Sequence, residues 1–106
     1  MKKLNFNNDV LHVEKVSLED IAKSVGTPVY VYSKKSLIEN YSFFHNTLKK
    51  ILGSKNDFLV AYSVKSNSNI GVINVLSSLN SGADVVSSGE LKRSLMAGIC
   101  ANKIVF

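Results

Sequence analysis

The chain has 106 residues, a length that allows one small domain. Its hydrophobic fraction of 45% and charged fraction of 20% are ordinary for a folded protein in water and exclude an intrinsically disordered chain. The net charge of +5 raises the question of nucleic-acid binding, but eight of the 13 basic residues fall in separated pairs, namely Lys2-Lys3, Lys34-Lys35, Lys49-Lys50 and Lys92-Arg93. We therefore expect no nucleic-acid partner.

The N-terminal part of the chain predicts two short strands and a helix between them. Alternating polarity over Val10–Val13 indicates the first strand. Ser17 is placed to cap a short helix, which would stop at Gly26. Thr27-Pro28 then interrupts regular structure, because proline disfavours helix at the residue before it. The β-branched and aromatic residues of Val29–Tyr32 predict the second strand.

A long amphipathic helix is predicted next. Ser33 is a suitable N-cap, and the helical pattern runs to Leu52. Gly53 suits the left-handed position that closes such a helix. Apolar residues at three- and four-residue steps would form one stripe against a sheet. The stripe consists of Leu37, Ile38, Tyr41, Phe44, Leu48, Ile51 and Leu52.

The run Phe58–Val64 is almost entirely apolar and rich in aromatic and β-branched residues. It predicts a strand that is buried on both faces, as in a parallel sheet. Lys65 follows directly at the end of this strand. Ser68 or Asn69 can then cap a helix that continues through Leu79.

A strand, a helix and a final strand complete the chain. The strand is predicted over Ala83–Val86. Ser87 and Glu90 form a Ser-x-x-Glu capping box, which opens a helix that would end at Gly98. Lys103–Phe106 is one more apolar run and predicts the last strand.

Strands and helices therefore alternate from Val29 onward, and short crossovers of this kind impose parallel pairing with right-handed connections. The predicted fold class is α/β. A (β/α)₈ barrel of the TIM type satisfies the pattern, but such a barrel needs roughly 250 residues, so we expect about half of one. We assign residues 1–28 to a segment that leads into the barrel and residues 29–106 to its first βα units.

Two charged residues stand out against these apolar strands. Lys65 lies at the carboxyl end of its strand, the edge where parallel α/β folds carry catalytic side chains. By itself, a lysine in this position is more often a solvated surface residue. Asp84 interrupts a run that looks buried. Its carboxylate must therefore pair with a cation such as Lys65, or lie at the exposed start of the strand.

Two motifs resemble those of the fold-type III pyridoxal-phosphate enzymes. Ala61-Tyr-Ser-Val-Lys-Ser-Asn-Ser-Asn69 resembles the cofactor-lysine motif Tyr-Ala-x-Lys-Ala-Asn, with serine instead of alanine at Ser63 and Ser66. Gly82-Ala-Asp-Val-Val-Ser-Ser-Gly-Glu-Leu91 resembles Gly-Phe-Asp-Val-Val-Ser-Gly-Gly-Glu-Leu of the same group. Among the ornithine, diaminopimelate and arginine decarboxylases, this pair of motifs is most similar to the diaminopimelate decarboxylases.

The resemblance implies pyridoxal 5′-phosphate as the cofactor and a barrel of the alanine racemase type. It implies that Lys65 is the catalytic residue and binds the cofactor covalently, and burial at the barrel mouth would favour its neutral, nucleophilic form. Asp84 would pair with Lys65 or with a cofactor group. For Ser87, helix capping is the stronger alternative explanation. The predicted cofactor-binding residues are Ala61, Tyr62, Lys65, Asn67, Asp84 and Ser87.

The resemblance also implies an amino-acid substrate and a homodimer. The expected reaction converts meso-diaminopimelate to lysine and CO₂ in lysine biosynthesis. The alternative is a non-catalytic, carrier-type barrel protein that binds pyridoxal phosphate, or a gene remnant. Several parts of the family's site are missing from this sequence, including a later histidine and a glycine-rich phosphate loop. We therefore expect a fragment that is inactive alone.

The single cysteine and the N-terminal residues indicate the cellular compartment. Cys100 is the single cysteine, which excludes an internal disulfide and suits a reducing compartment. No apolar leader and no run long enough to span a bilayer is present, so we expect a cytoplasmic protein without a membrane partner. His12 has no cysteine or second histidine at metal-ligand spacing, so we expect no metal site.

Overall fold

The structure is a computed structural model, and it describes residues 4–53 and 57–106. The basic pair Lys2-Lys3 lies outside the described residues. The chain divides into two compact units, Met1–Ser36 and Leu37–Phe106. The division at residue 28 made from the sequence stays a prediction.

The first unit contains a three-stranded antiparallel sheet. Strands β1 (Leu4–Asn7), β2 (Val10–Val13) and β3 (Val16–Ser17) pair in chain order. The prediction of a strand at Val10–Val13 is confirmed, whereas the sequence analysis missed β1 and β3. Asn8 and Asp9 join β1 to β2 with φ angles of 48° and 60°. Two consecutive positive φ angles are what a tight two-residue hairpin needs, and asparagine and aspartate tolerate them well.

Helix α1 (Leu18–Val25) is confirmed together with its caps. Ser17 Oγ accepts a hydrogen bond from the backbone N–H of Asp20 at 3.3 Å, and the N–H of Gly26 bonds to the carbonyl of Ala22 at 2.9 Å. Gly26 has a φ of 83°, which explains why glycine ends the helix.

The prediction of a strand at Val29–Tyr32 is wrong. These residues pair with no strand of the described chain, and the side chain of Tyr30 is 88% exposed. Val29 and Val31 instead line an apolar groove with Leu18 in the first unit. Strand propensity alone does not make a strand, because the backbone N–H and C=O groups need a neighbouring ladder.

Helix α2 (Lys34–Leu52) confirms the long predicted helix. Ser33 Oγ accepts from the N–H of Ser36 at 2.9 Å, as a capping serine does. Glu14 adds a second cap that the sequence analysis missed, since its Oε1 accepts from Ser33 Oγ at 2.6 Å and from the N–H of Lys35 at 3.0 Å. These two donors, and the positive charge of Lys35, hold the pKa of the Glu14 carboxyl below its ordinary value. At the other end, Gly53 has a φ of 79°.

The apolar stripe predicted on α2 is right only in part. Leu37, Ile38 and Leu48 are half-buried, but Phe44 and Ile51 are exposed, the latter by 74%. The inner face instead includes His45, whose ring stacks on Tyr41 at a centroid distance of 5.9 Å and lies 5.1 Å from the ring of Phe58. Burial raises the pKa of the Tyr41 hydroxyl.

The second unit is built on a parallel three-stranded sheet. Its strands lie in the order β4 (Ala61–Ser63), β5 (Gly82–Asp84) and β6 (Ile104–Val105). Helix α3 (Ile70–Ser78) connects β4 to β5, and helix α4 (Ser88–Met96) connects β5 to β6. The three predicted strands are confirmed, although each is shorter than predicted. The parallel order with helical crossovers confirms the α/β fold class.

The core of the second unit lies between this sheet and its two helices. Its buried members are Val64, Ile73, Ala83, Val85, Ala97 and Ile99. Ile73 is fully buried, which stabilises the fold by about 1.5–3 kcal/mol relative to an exposed side chain. In the described parts of the chain, no helix is long and apolar enough to cross a membrane.

Candidate functional site

Lys65 lies in a tight turn directly after β4. Residues Val64–Ser66 form one turn of 3₁₀ helix, which was not predicted, since Val64 was assigned to the end of the strand. Val64 is fully buried in the core and anchors the turn, whereas Lys65 is exposed. Burial of Lys65 at the mouth of a complete barrel stays a prediction. Val64 occupies the inward position, and adjacent side chains of a tight turn face different directions.

The segment around Lys65 is held by its own polar groups. Tyr62 Oη donates a hydrogen bond to the carbonyl of Asn67 at 3.0 Å, and the N–H of Asn67 bonds to the carbonyl of Val64 at 3.1 Å. Asn67 Oδ1 accepts from the N–H of Asn69 at 3.0 Å. Tyr62 and Asn67 thus fix the backbone on both sides of Lys65, which gives them a direct structural role beside the cofactor-binding role that we predicted.

Asn69 starts helix α3, one of the two caps that the sequence offered. Its Oδ1 accepts from the N–H groups of Gly71 at 2.9 Å and Val72 at 3.4 Å. A side chain at Gly71 would place its Cβ 3.1 Å from that oxygen, so glycine keeps the cap open. The lysine turn is therefore fixed at its start by Val64 and at its end by the first turn of α3.

Asp84 is the last residue of β5 and lies opposite Ser63 of β4 on one side and Val105 of β6 on the other. It is half-buried at the carboxyl edge of the sheet, so its placement at an exposed start of the strand is wrong. Within residues 4–53 and 57–106, no ion pair joins Asp84 to Lys65. Pairing of Asp84 with a cofactor group stays a prediction.

Ser87 and Glu90 form the predicted capping box of α4. Ser87 Oγ accepts from the N–H of Glu90 at 3.2 Å, and Glu90 Oε2 accepts from the N–H of Val86 at 2.8 Å. The capping explanation for Ser87 is thereby confirmed, and a contact between Ser87 and the cofactor stays a prediction. Ala61, at the start of β4, is half-buried and lies opposite Gly82.

The sequence analysis missed two contacts of this segment. Arg93 on α4 reaches the carbonyl of Ser68 with Nη1 at 3.4 Å. Ser66 Oγ lies 2.7 Å from the carbonyl oxygen of Ser63 and 3.1 Å from Tyr62 Oη. The signal for Ser66 was its departure from the alanine of the lysine motif, whereas a contact between residues as distant as Ser68 and Arg93 has no local sequence signal.

The chemistry of these groups fits a pyridoxal-phosphate site. A primary amine that is open to solvent can react with an aldehyde, and Lys65 presents one at the carboxyl edge of a parallel sheet. Asp84 brings a carboxylate to the same edge, and carboxylates are the usual partners of cationic cofactor groups. No group of three or more potential metal ligands occurs in the part of the chain that the structure describes.

Comparison with known proteins decides the family. The family described as "Pyridoxal-dependent decarboxylase, pyridoxal binding domain" matches residues 35–106, which include both motifs. The chain belongs to the pyridoxal-dependent decarboxylases. Membership confirms the decarboxylase family that the two motifs predicted. It also confirms pyridoxal phosphate as the cofactor of the matching domain.

Individual decarboxylases extend the similarity over the whole chain. Diaminopimelate decarboxylase of Pseudomonas fluorescens is 44% identical over 106 residues, which is 100% of this chain and 24% of that relative. The corresponding protein of Vibrio cholerae is 42% identical over 107 residues. A crystal structure of diaminopimelate decarboxylase from M. jannaschii superposes with a TM-score of 0.91 at 30% identity and covers 98% of this chain. The chain spans about a quarter of the length of these decarboxylases.

Proposed function

We propose that this chain supplies the cofactor lysine of a pyridoxal-phosphate-dependent decarboxylase that converts meso-diaminopimelate to lysine and CO₂. The observation that carries the proposal is the position of Lys65, an exposed amine at the carboxyl edge of the parallel sheet within the matched pyridoxal-binding domain. Pyridoxal phosphate, when bound, accepts the electron pair that remains on the α-carbon when a carboxylate departs as CO₂.

The residues around Lys65 have distinct roles in this proposal. Lys65 holds the cofactor covalently, which requires the amine to be present in its neutral form. Asp84 places a negative charge at the same edge and so attracts a cationic group, either on Lys65 or on the cofactor. Tyr62 and Asn67 hold the backbone of the turn through the hydrogen bond between them. We assign Ala61 and Ser87 to the walls of the cofactor pocket.

Diaminopimelate is the proposed substrate because diaminopimelate decarboxylases are the relatives with 42% and 44% identity. In addition, a crystal structure of the M. jannaschii decarboxylase was solved in complex with L-lysine, and it covers 99% of this chain with a TM-score of 0.91. We also propose a cytoplasmic homodimer, following the resemblance to the family and the single cysteine. Sedimentation of the purified natural protein measures the oligomeric state.

The first experiment locates the cofactor. The purified natural protein is loaded with pyridoxal phosphate, reduced with borohydride and digested, and the modified peptide is identified by mass spectrometry. We expect the adduct on Lys65, its loss in Lys65→Arg, and an unchanged adduct in the control Lys92→Arg, which alters an exposed lysine on α4. An adduct on a different lysine would overturn the assignment.

The second experiment tests the substrate. Release of CO₂ is measured with meso-diaminopimelate, ornithine and arginine under the same conditions. We expect diaminopimelate to react fastest. A preference for ornithine or arginine would overturn the choice of substrate. Binding of pyridoxal phosphate without CO₂ release from any of the three would favour the carrier-type alternative.

A further inference from the structure

We propose that the hydroxyl groups of Tyr62 and Ser66 act as a pair that positions Lys65 for its reaction with the cofactor. This inference rests on the proposed function, because it concerns the same lysine. It assigns a role to Ser66, which stands where the family's lysine motif has alanine. Both residues are positioning residues, since their hydroxyl groups act on the turn that carries Lys65.

Three hydrogen-bond contacts surround the turn that carries Lys65. Tyr62 Oη donates its single proton to the carbonyl of Asn67 at 3.0 Å, so it can only accept from Ser66 Oγ, which lies 3.1 Å away. Ser66 Oγ also lies 2.7 Å from the carbonyl of Ser63. The Ser66 hydroxyl can therefore donate its one proton either to the carbonyl of Ser63, before Lys65, or to Tyr62 Oη.

Tyr62 is a suitable fixed point for these contacts. Its ring is half-buried and packs against the core cluster that contains Val64. The tyrosine hydroxyl thus has a defined position relative to the sheet, and it transfers that position to the carbonyl of Asn67 and to Ser66 Oγ. Because Ser66 directly follows Lys65, these bonds restrain the backbone next to Lys65.

Lys65 depends on this backbone support because no group among residues 4–53 and 57–106 holds its amine. Within the described ranges, no hydrogen bond or ion pair to the Lys65 ammonium occurs. The turn therefore sets the position of the Lys65 Cα and Cβ atoms, from which the side chain extends. Reacting groups need to be held within about 0.5 Å of their productive position. A hydroxyl pair that fixes the turn reduces the range of positions that Lys65 can adopt.

The alternative explanation for Ser66 is a purely local bond, because serine often bonds to the carbonyl three residues earlier. Ser78 provides a matched control for this alternative. It is an exposed serine on α3, and its Oγ donates to the carbonyl of Val75 at 2.6 Å, also three residues earlier. Ser78 has the same local bond as Ser66 but contacts no tyrosine hydroxyl among the described residues.

The test compares Ser66→Ala, Tyr62→Phe and the double variant in the purified natural protein, with Ser78→Ala and Tyr30→Phe as controls. One measurement is the pyridoxal phosphate concentration that gives half-maximal borohydride-trapped adduct on Lys65, followed as a function of pH. The other is the acetylation rate of Lys65 relative to Lys92 without cofactor. Thermal unfolding is recorded for every variant, because a general loss of stability would change both measurements and lower the unfolding midpoint.

We expect each single variant to weaken adduct formation about three- to ten-fold, as loss of one hydrogen bond does, with a shifted pH profile. The double variant should form the adduct as well as the more impaired of the two single variants, because the two hydroxyl groups act together. Ser66→Thr, which keeps the hydroxyl, should restore wild-type behaviour. Independent, multiplying losses in the double variant would overturn the proposal, and so would equal losses in Ser78→Ala.

The cofactor-free measurement separates the two hypotheses. If the wild-type protein forms no adduct on Lys65 but the acetylation ratio still changes in Ser66→Ala and Tyr62→Phe, the proposed function fails and the positioning role stands. If the adduct forms on Lys65 equally well in all variants and the acetylation ratio is unchanged, the positioning role fails and the proposed function stands.

Discussion

Ser63 and Asp84 lie opposite each other as the last residues of two parallel strands, and Lys65 follows Ser63 by two residues. Parallel pairing brings the carboxyl ends of both strands to the same edge of the sheet. Two residues that are 19 positions apart in the sequence, Lys65 and Asp84, therefore belong to one surface of the second unit. This register is the structural basis for treating the two motifs as one site.

Replacement of Asp84 by asparagine removes the negative charge at this edge and keeps the shape of the side chain. We expect adduct formation with pyridoxal phosphate to weaken about ten-fold, because a cationic group at the site loses its counter-charge. The thermal midpoint should change little, since Asp84 is only half-buried and forms no ion pair among the described residues. Asp57→Asn, at an exposed aspartate before β4, is the control. Equal effects of both variants would show that general charge, and not position, matters.

Gly82 is the position in β5 where any side chain is excluded. A Cβ there would lie 2.5 Å from the carbonyl oxygen of Lys103 and 2.8 Å from Leu59 Cδ2, and the residue is buried. Gly82→Ala should therefore destabilise the protein by about 1–3 kcal/mol, as overpacking of a core does. Gly89→Ala is the matched control, since its nearest neighbour is 3.8 Å away and alanine favours helix. Chemical denaturation measures both, and equal stability of the two variants would contradict the clash.

The hydrogen bonds to the Glu14 carboxylate should make the stability of the first unit sensitive to acid. The hydroxyl of Ser33 and the N–H of Lys35 lower its pKa in the folded state, so folding is favoured when Glu14 is ionised. This contribution is fully present above the unfolded pKa of about 4.3 and is lost as the pH falls through the lower folded pKa.

Glu14→Gln should lower the thermal midpoint at neutral pH by a few degrees. Below about pH 4.3, the midpoint of this variant should fall less than that of the wild type. Glu19→Gln is the control, because Glu19 is an exposed residue in the first turn of α1 and contacts only Lys23, at 4.0 Å, among the described residues. Thermal unfolding from pH 3 to pH 7, monitored by circular dichroism, measures the difference. If the thermal midpoint fell equally with decreasing pH in the wild type and in Glu14→Gln, the two hydrogen bonds would contribute nothing to stability.

The elements that could be predicted from the sequence are those that local chemistry decides. Ser17, Asn69 and Ser87 each cap the helix expected of them, because a side-chain oxygen next to free N–H groups needs no distant partner. Gly53 closes α2 for an equally local reason, its positive φ.

The errors share a different cause. Val29–Tyr32 has the composition of a strand, but strand formation depends on a neighbour that the local sequence does not specify. The 3₁₀ turn at Val64–Ser66 was also missed, because the run of apolar residues does not show where the strand ends and which residue of the turn enters the core. The cap that Glu14 provides for α2 joins residues 19 and 21 positions apart, a distance at which sequence patterns carry no signal.

The two outer strands of the parallel sheet lead to a prediction about the 106-residue chain by itself. Among the described residues, β4 and β6 each pair only with β5, so each has one edge of N–H and C=O groups without a neighbouring strand. Val105 of β6 is 54% exposed and Phe106 is 84% exposed beside this edge. Exposed apolar edges pair with other chains, so the 106-residue chain alone should associate and should not release CO₂ from diaminopimelate.

Val105→Lys tests whether the edge causes the association, because a lysine on an edge strand opposes pairing. We expect this variant to sediment as a smaller species than the wild-type chain at the same concentration. Leu95→Lys is the matched control, since Leu95 is 45% exposed but lies on α4 and not on a strand. An equal shift in both variants would attribute association to general hydrophobicity, and a wild-type chain that unfolds cooperatively as a monomer and releases CO₂ would show that the 106 residues contain a complete functional unit.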